Sequence, residues 1–125
     1  MRWSNGNTSV GGQGQTVEGL ECAATTPVGY HAHAHLSIFL NGEALAIPRE
    51  VGIVTQSPTT ACHYPVHTHD LTGMIHLHAT APTTFTLGQL FSIWGQPLQS
   101  TDIAGLLGDA GGRLRDGAGR GQQGR

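Results

Sequence analysis

Histidine is the residue type through which this chain can do chemistry. Eight histidines occur in 125 residues, as many as Asp and Glu together. Seven of them fall into three sets at i, i+2 spacing: His31, His33 and His35; His67 and His69; His76 and His78. Imidazole titrates near neutrality and is the commonest protein ligand for transition metals. Side chains at i and i+2 of one strand leave the same face with Cα atoms about 6–7 Å apart. Their rings can bend inward to share an ion about 2.0–2.1 Å from each nitrogen. A third imidazole from a neighbouring strand completes a three-histidine site that leaves a coordination position open. The spacing therefore predicts metal ligation by His31, His33, His35, His67, His69, His76 and His78.

Two other readings fit the same residues: a metal-free pH-sensing cluster and an incidental histidine-rich surface. Metal is favoured over both, because a chain poor in charge has gathered its titratable groups within residues 31–78. Side-by-side imidazoles without a shared ion repel one another once protonated. His63 stands outside the sets and reads as a loop residue rather than a ligand. Asp70 follows His69 directly and has three readings: a metal ligand, an acceptor that fixes an imidazole tautomer, or a turn residue ahead of Gly73. Apart from a spare histidine, Asp70 is also the candidate for a catalytic base. Tyr30 and Tyr64 each adjoin a histidine and read as packing residues.

The elements that must position these rings are strands. In HAHAHLSIFL (31–40), His31, His33, His35, Ser37 and Phe39 alternate with Ala32, Ala34, Leu36, Ile38 and Leu40; period two means strand. Asn41-Gly42 suits a type I′ turn, and 43–47 returns until Pro48 stops it. Residues 51–55 suggest a short strand, and 57–60 (SPTT) a loop. MIHLHAT (74–80) alternates again, with His76, His78 and Thr80 opposite Ile75, Leu77 and Ala79. In both histidine strands one face can enter a core while the imidazoles look the other way. Residues 84–86 suggest the start of one more strand. One helix is predicted: Thr86 caps it, Leu87, Leu90, Phe91 and Trp94 fall at i, i+3, i+4, i+7, Gly95 takes the left-handed position, and Pro97 forbids continuation. At about two turns it must gain its stability by docking that stripe on a sheet. The predicted fold is all-β, a small antiparallel sandwich or partly open barrel with one short helix.

Composition bounds the rest. Charged residues make up 11%, against roughly 25% in an average soluble protein. The formal charge is -2 and all six cationic side chains are arginine, so a basic groove for nucleic acid is not expected. No apolar run is long enough to span a bilayer or to serve as a signal peptide after Met1-Arg2. Residues 1–20 and 101–125 hold 13 of the 19 glycines and little periodic apolar pattern. They read as a flexible N-terminal segment and a mobile Gly/Arg-rich tail around a histidine-rich β domain at 21–100. Cys22 and Cys62 fit neither a zinc nor a redox motif. They form either a disulfide across about 40 residues, worth on the order of 3–4 kcal/mol, or two buried thiols.

Tyr30-His31-x-His33-x-His35 running into LSIFLNG, then Cys62, then His67-Thr68-His69-Asp70-x-x-Gly73-x-Ile75-His76, and FTLGQLFSIWG at 85–95 resemble a family of small bacterial domains, often exported or membrane-tethered. The likeness covers roughly residues 20–98 and carries no assigned activity. It implies that the histidines form a site and that the protein works outside the cytoplasm, in the periplasm or secreted. The family pattern has an acidic residue at the place of His78 and a hydrophobic one at His63. Its chains also continue past the helix with a strand-rich segment, where this chain has its Gly/Arg tail. Read as a truncation or a shifted frame, that difference predicts an exposed sheet edge and a homo-oligomer formed through it.

An all-imidazole site suits zinc, copper, nickel or iron, and Zn or Cu(II) is favoured here. Three functions follow. A zinc-bound hydroxide can attack a small-molecule electrophile, as in a hydrolase or hydratase. Alternatively, the histidines sequester copper or zinc without catalysis. A small copper oxidase is the third possibility, and nothing in the sequence offers its electron-entry site.

Overall fold

The two alternating histidine segments pair with each other. In the computed structural model, which describes residues 2–107, β1 (Tyr30–His35) and β7 (Met74–Ala79) run antiparallel, and the two-residue β6 (Val66–His67) pairs with the other side of β7. The register sets His31 opposite His78, and His33 opposite His76, which in turn faces His67. Directly opposed residues share a face of the sheet, so the pleat collects imidazoles from three strands on one side. Ile75 of β7 and Val66 of β6 point the other way and are buried.

The predicted strand over 31–40 is in fact two. After His35 the chain leaves β7: the Leu36 N–H donates to the Gly73 carbonyl at 2.9 Å. β2 (Ile38–Leu40) then pairs with β3 (Glu43–Leu45) as a separate hairpin. Asn41 and Gly42 at its tip both have positive φ, 54° and 85°, as a type I′ turn demands. The close approach of Leu36 explains Gly73, whose φ is +87° and where a Cβ would overlap the Leu36 carbonyl.

A second hairpin joins β4 (Ile53–Ser57) to β5 (Thr60–His63). The segment read as a loop at 57–60 thus contributes only its tip, and His63 ends a strand instead of lying in a loop. Residues 84–86 lead into the helix without forming a strand.

The helix α1 (Leu87–Trp94) agrees with its sequence signals at both ends. Thr86 Oγ1 accepts from the Gln89 N–H at 3.0 Å, Gln89 Oε1 accepts from the Thr86 N–H at 2.9 Å, and Gly95 closes the helix at φ 86°. These bonds satisfy backbone donors that a helix start otherwise leaves unpaired. Leu90, Phe91, Ile93 and Trp94 are buried and join Val66, Ile75, Leu36, Ile38, Ile47, Val51 and Tyr64 in one apolar cluster. The fold is therefore all-β with one short helix; its sheets stay small and no barrel closes among the described residues.

The chain ends depart from expectation. Residues 2–20, predicted to be flexible, are folded onto the helix: Trp3 is buried edge-on against Trp94 with ring centroids 5.2 Å apart, and its Nε1–H donates to the Ala104 carbonyl at 2.9 Å. Thr8 Oγ1 donates to the Gly95 carbonyl, and Gly11 and Gly12 lie too close to α1 and Tyr64 for a side chain. An indole that fills a cavity overrides the weak periodic signal of the residues around it. The start of the predicted tail is folded too: its β9 (Asp102–Ile103) and β10 (Leu106–Leu107) join β8 (Leu98–Gln99), which precedes it, in a small antiparallel sheet. The remainder of that tail, 108–125, lies outside the described residues. Cys22 and Cys62 form a disulfide, and beside it Ala23 and His63 exchange backbone hydrogen bonds of 2.9 and 2.7 Å.

Candidate metal centre

Two strands build the site. β1 supplies His31 and His33, both exposed, and β7 supplies the half-buried His76 opposite His33. Ring centroids lie 4.6 Å apart for His31 and His33, 4.8 Å for His33 and His76, and 6.1 Å for His31 and His76. Nitrogens held about 2.0–2.1 Å from a tetrahedral ion place their ring centroids about 5 Å apart. One nitrogen from each of the three rings lies within 4.8 Å of the others, close enough for the rings to turn inward onto a single ion. His31, His33 and His76 can hold a metal ion.

No protein-family model matches this chain, and neither a curated protein nor a solved structure does.

Around the triad the other imidazoles form a continuous patch. His69 packs edge-on against His76 at 4.6 Å and against His67 at 4.9 Å. His78 stacks on His31 at 4.5 Å and lies 5.1 Å from His67, and His63 is 5.7 Å from His67. His35 is the exception among the predicted ligands. Its Nε2 bonds the Thr72 carbonyl at 2.8 Å and its Nδ1 the Ser37 hydroxyl at 3.2 Å, so both nitrogens are engaged where β1 leaves the sheet. Met74, not a histidine, stands opposite it.

His67 is the fixed point of the patch. It is 1% exposed, and its Nδ1–H donates to the Tyr64 carbonyl at 2.7 Å. That bond selects the tautomer whose lone pair is on Nε2, the form a metal ligand needs. The backbone around it is held from β4's side: Thr68 is fully buried, donates from Oγ1 to the Pro48 carbonyl and accepts from the Val51 N–H. Gly52, at φ +85°, lies so close that a Cβ would meet the Val66 carbonyl and His67 Cβ.

Burial pushes the His67 imidazole down from 6.5 to about 4, against the opposing pull of the Tyr64 carbonyl and with help from neighbouring His69, His78 and His63. His76 and His78 are also lowered, first by burial and then by the surrounding imidazoles. Rings held neutral at physiological pH need lose no proton to bind a metal.

Asp70 has its Oδ1 occupied, accepting from the Thr72 N–H at 3.0 Å and Oγ1–H at 2.6 Å. Those bonds hold its carboxyl below the usual range. Its structural part is the turn that returns the chain to β7, one of its three readings. Tyr64 is fully buried, donates to the Gln15 carbonyl at 2.6 Å and accepts from the Gly14 N–H, so its phenol serves packing. The sequence reading missed the place of His63, which β5 brings beside His67. The signal lay in IVTQS and TACH separated by Pro58-Thr59, two short runs with a two-residue tip.

Proposed function

We propose that this chain is a transition-metal-binding protein that captures Zn(II) or Cu(II) through His31, His33 and His76 outside the cytoplasm. The observation that carries the reading is the β1–β7 register, which gathers three imidazole nitrogens within 4.8 Å on one sheet face. Neutral imidazole suits both ions. Both cysteines are in the disulfide, which leaves no thiolate for a blue-copper centre and supports an oxidising compartment. Capture is favoured over catalysis because two of the three ligands are exposed and the carboxylate of Asp70 is spent on its turn.

The test is binding of Zn(II) and Cu(II) to the purified chain, followed by equilibrium dialysis and thermal melting. Free metal at a thousand times its Kd should raise stability by about 4 kcal/mol. His33→Gln should weaken binding by tenfold or more. A melting temperature indifferent to metal and chelator would overturn the proposal. The open fourth position of a three-imidazole site favours one second reading, a zinc hydrolase; turnover of an activated ester by the zinc-loaded chain, abolished by His33→Gln, would establish it.

A further inference from the structure

We propose that His63, His67 and His78 form a second transition-metal site, separate from the triad of His31, His33 and His76. The three rings come from β5, from β6 and from β7. His67 is their hub, 5.7 Å from His63 and 5.1 Å from His78 between ring centroids, against the roughly 5 Å that a shared tetrahedral ion imposes; the donor nitrogens lie farther apart than in the outer triad, so this set closes only as the His63 and His78 rings turn towards His67. No residue is common to the two sets, although His78 of the inner set stacks on His31 of the outer.

Two features of this inner set point to a ligand. His63 Nδ1 is buried and has no hydrogen-bond partner, a state that buried polar atoms rarely occupy. An ion bound on that nitrogen would satisfy it. His67, nearly devoid of solvent exposure, spends its Nδ1–H on the Tyr64 carbonyl and so keeps Nε2 as a lone-pair donor in a fixed ring. His63 and His67 meet at 61°, so their ring planes can converge on one point. His78 lies within 17° of parallel to His67 and must turn to aim a nitrogen there; it is half-buried and stacked on His31, so its rotation is coupled to the outer triad. The disulfide sets the position of the inner set, because Cys62 precedes His63 in β5 and the Ala23 bridge clamps the same strand.

The ion fitting this set is a divalent metal that prefers imidazole, and Zn(II) is the probe. The full chain with its disulfide intact and its histidines labelled with ¹⁵N is titrated with Zn(II), with bound metal counted by equilibrium dialysis and each ring followed by long-range ¹H–¹⁵N NMR. Two equivalents are expected, with the His63 Nδ1 resonance moving as metal is added. His63→Gln with His78→Gln should bind one equivalent, as should His31→Gln with His33→Gln, and in the latter His63 Nδ1 should still move. A His63 Nδ1 resonance unmoved at saturation, or a single equivalent that His63→Gln with His78→Gln leaves bound, overturns the second site. The NMR arm needs no substitution and so holds even where a variant folds poorly. Failure of the outer triad reads differently: the unsubstituted chain would bind one equivalent with His63 Nδ1 moving, His31→Gln with His33→Gln would keep it, and the inner double variant would lose it.

Discussion

Acid should destabilise the metal-free protein well before its carboxylates titrate, and His67 sets the size of the effect. Its imidazole is buried and pushed from 6.5 to about 4. Above pH 6.5 the ring is neutral both folded and unfolded, and its burial costs nothing in protonation. As the pH falls from 6.5 towards 4, the unfolded chain takes up a proton that the folded chain refuses, so folding loses stability. At about 1.4 kcal/mol per pH unit the total is about 3 kcal/mol, which in a domain of this size is about 10 °C in Tm. His76 and His78, lowered in the same direction, add to the slope. Asp70 is depressed below 3.8, so its contribution is lost only at lower pH and does not enter this window. The assay is thermal or urea unfolding in chelator from pH 7.5 to 4.5, for the unsubstituted chain and for His67→Gln. The variant should be less stable at pH 7.5 but show a flatter profile. A flat profile in the unsubstituted protein, or an undiminished slope in His67→Gln, would refute the reasoning.

Three further outcomes are expected. Replacing Cys22 and Cys62 by Ala should cost about 4 kcal/mol in chemical denaturation if constraint of the unfolded chain dominates across a separation of 40 residues. Gly73→Ala should cost on the order of 1–3 kcal/mol, because φ there is +87° and the new methyl would strike the Leu36 carbonyl. Since Leu36 and Gly73 join where β1 meets β7, the same substitution should weaken zinc binding more than a surface Gly42→Ala control, measured side by side.

The two histidine strands and the helix were legible because each has a strong local signature. Alternation marks 30–35 and 74–79, and Thr86, the apolar stripe and Gly95 mark the helix from cap to cap. Pairing carries no such mark. That His33 meets His76, while His35 meets Met74 and bonds the Thr72 carbonyl, follows from register and from where β1 peels off. Both are properties of a three-dimensional arrangement that spacing alone leaves open. The N-terminal segment was misjudged for a similar reason. Its apolar anchor, Trp3, packs against Trp94 and Ala104, partners some ninety to a hundred residues away that no window of sequence compares. Cys22 and Cys62 stayed ambiguous because redox state depends on compartment as well as on spacing.

The bond from the Trp3 indole to the Ala104 carbonyl spans 101 positions and has a consequence for the order in which the molecule is completed. Synthesis runs from residue 3 towards residue 104, so the indole emerges early and its acceptor late. Until then a large aromatic surface waits without its partner, and the loop it must close is nearly the whole described chain. The histidine strands, whose pairing spans fewer residues, can assemble first. Closure of this clasp is then a late event in the biogenesis of the protein, and a nascent chain halted short of residue 104 would display the tryptophan to whatever chaperone or aggregate meets it.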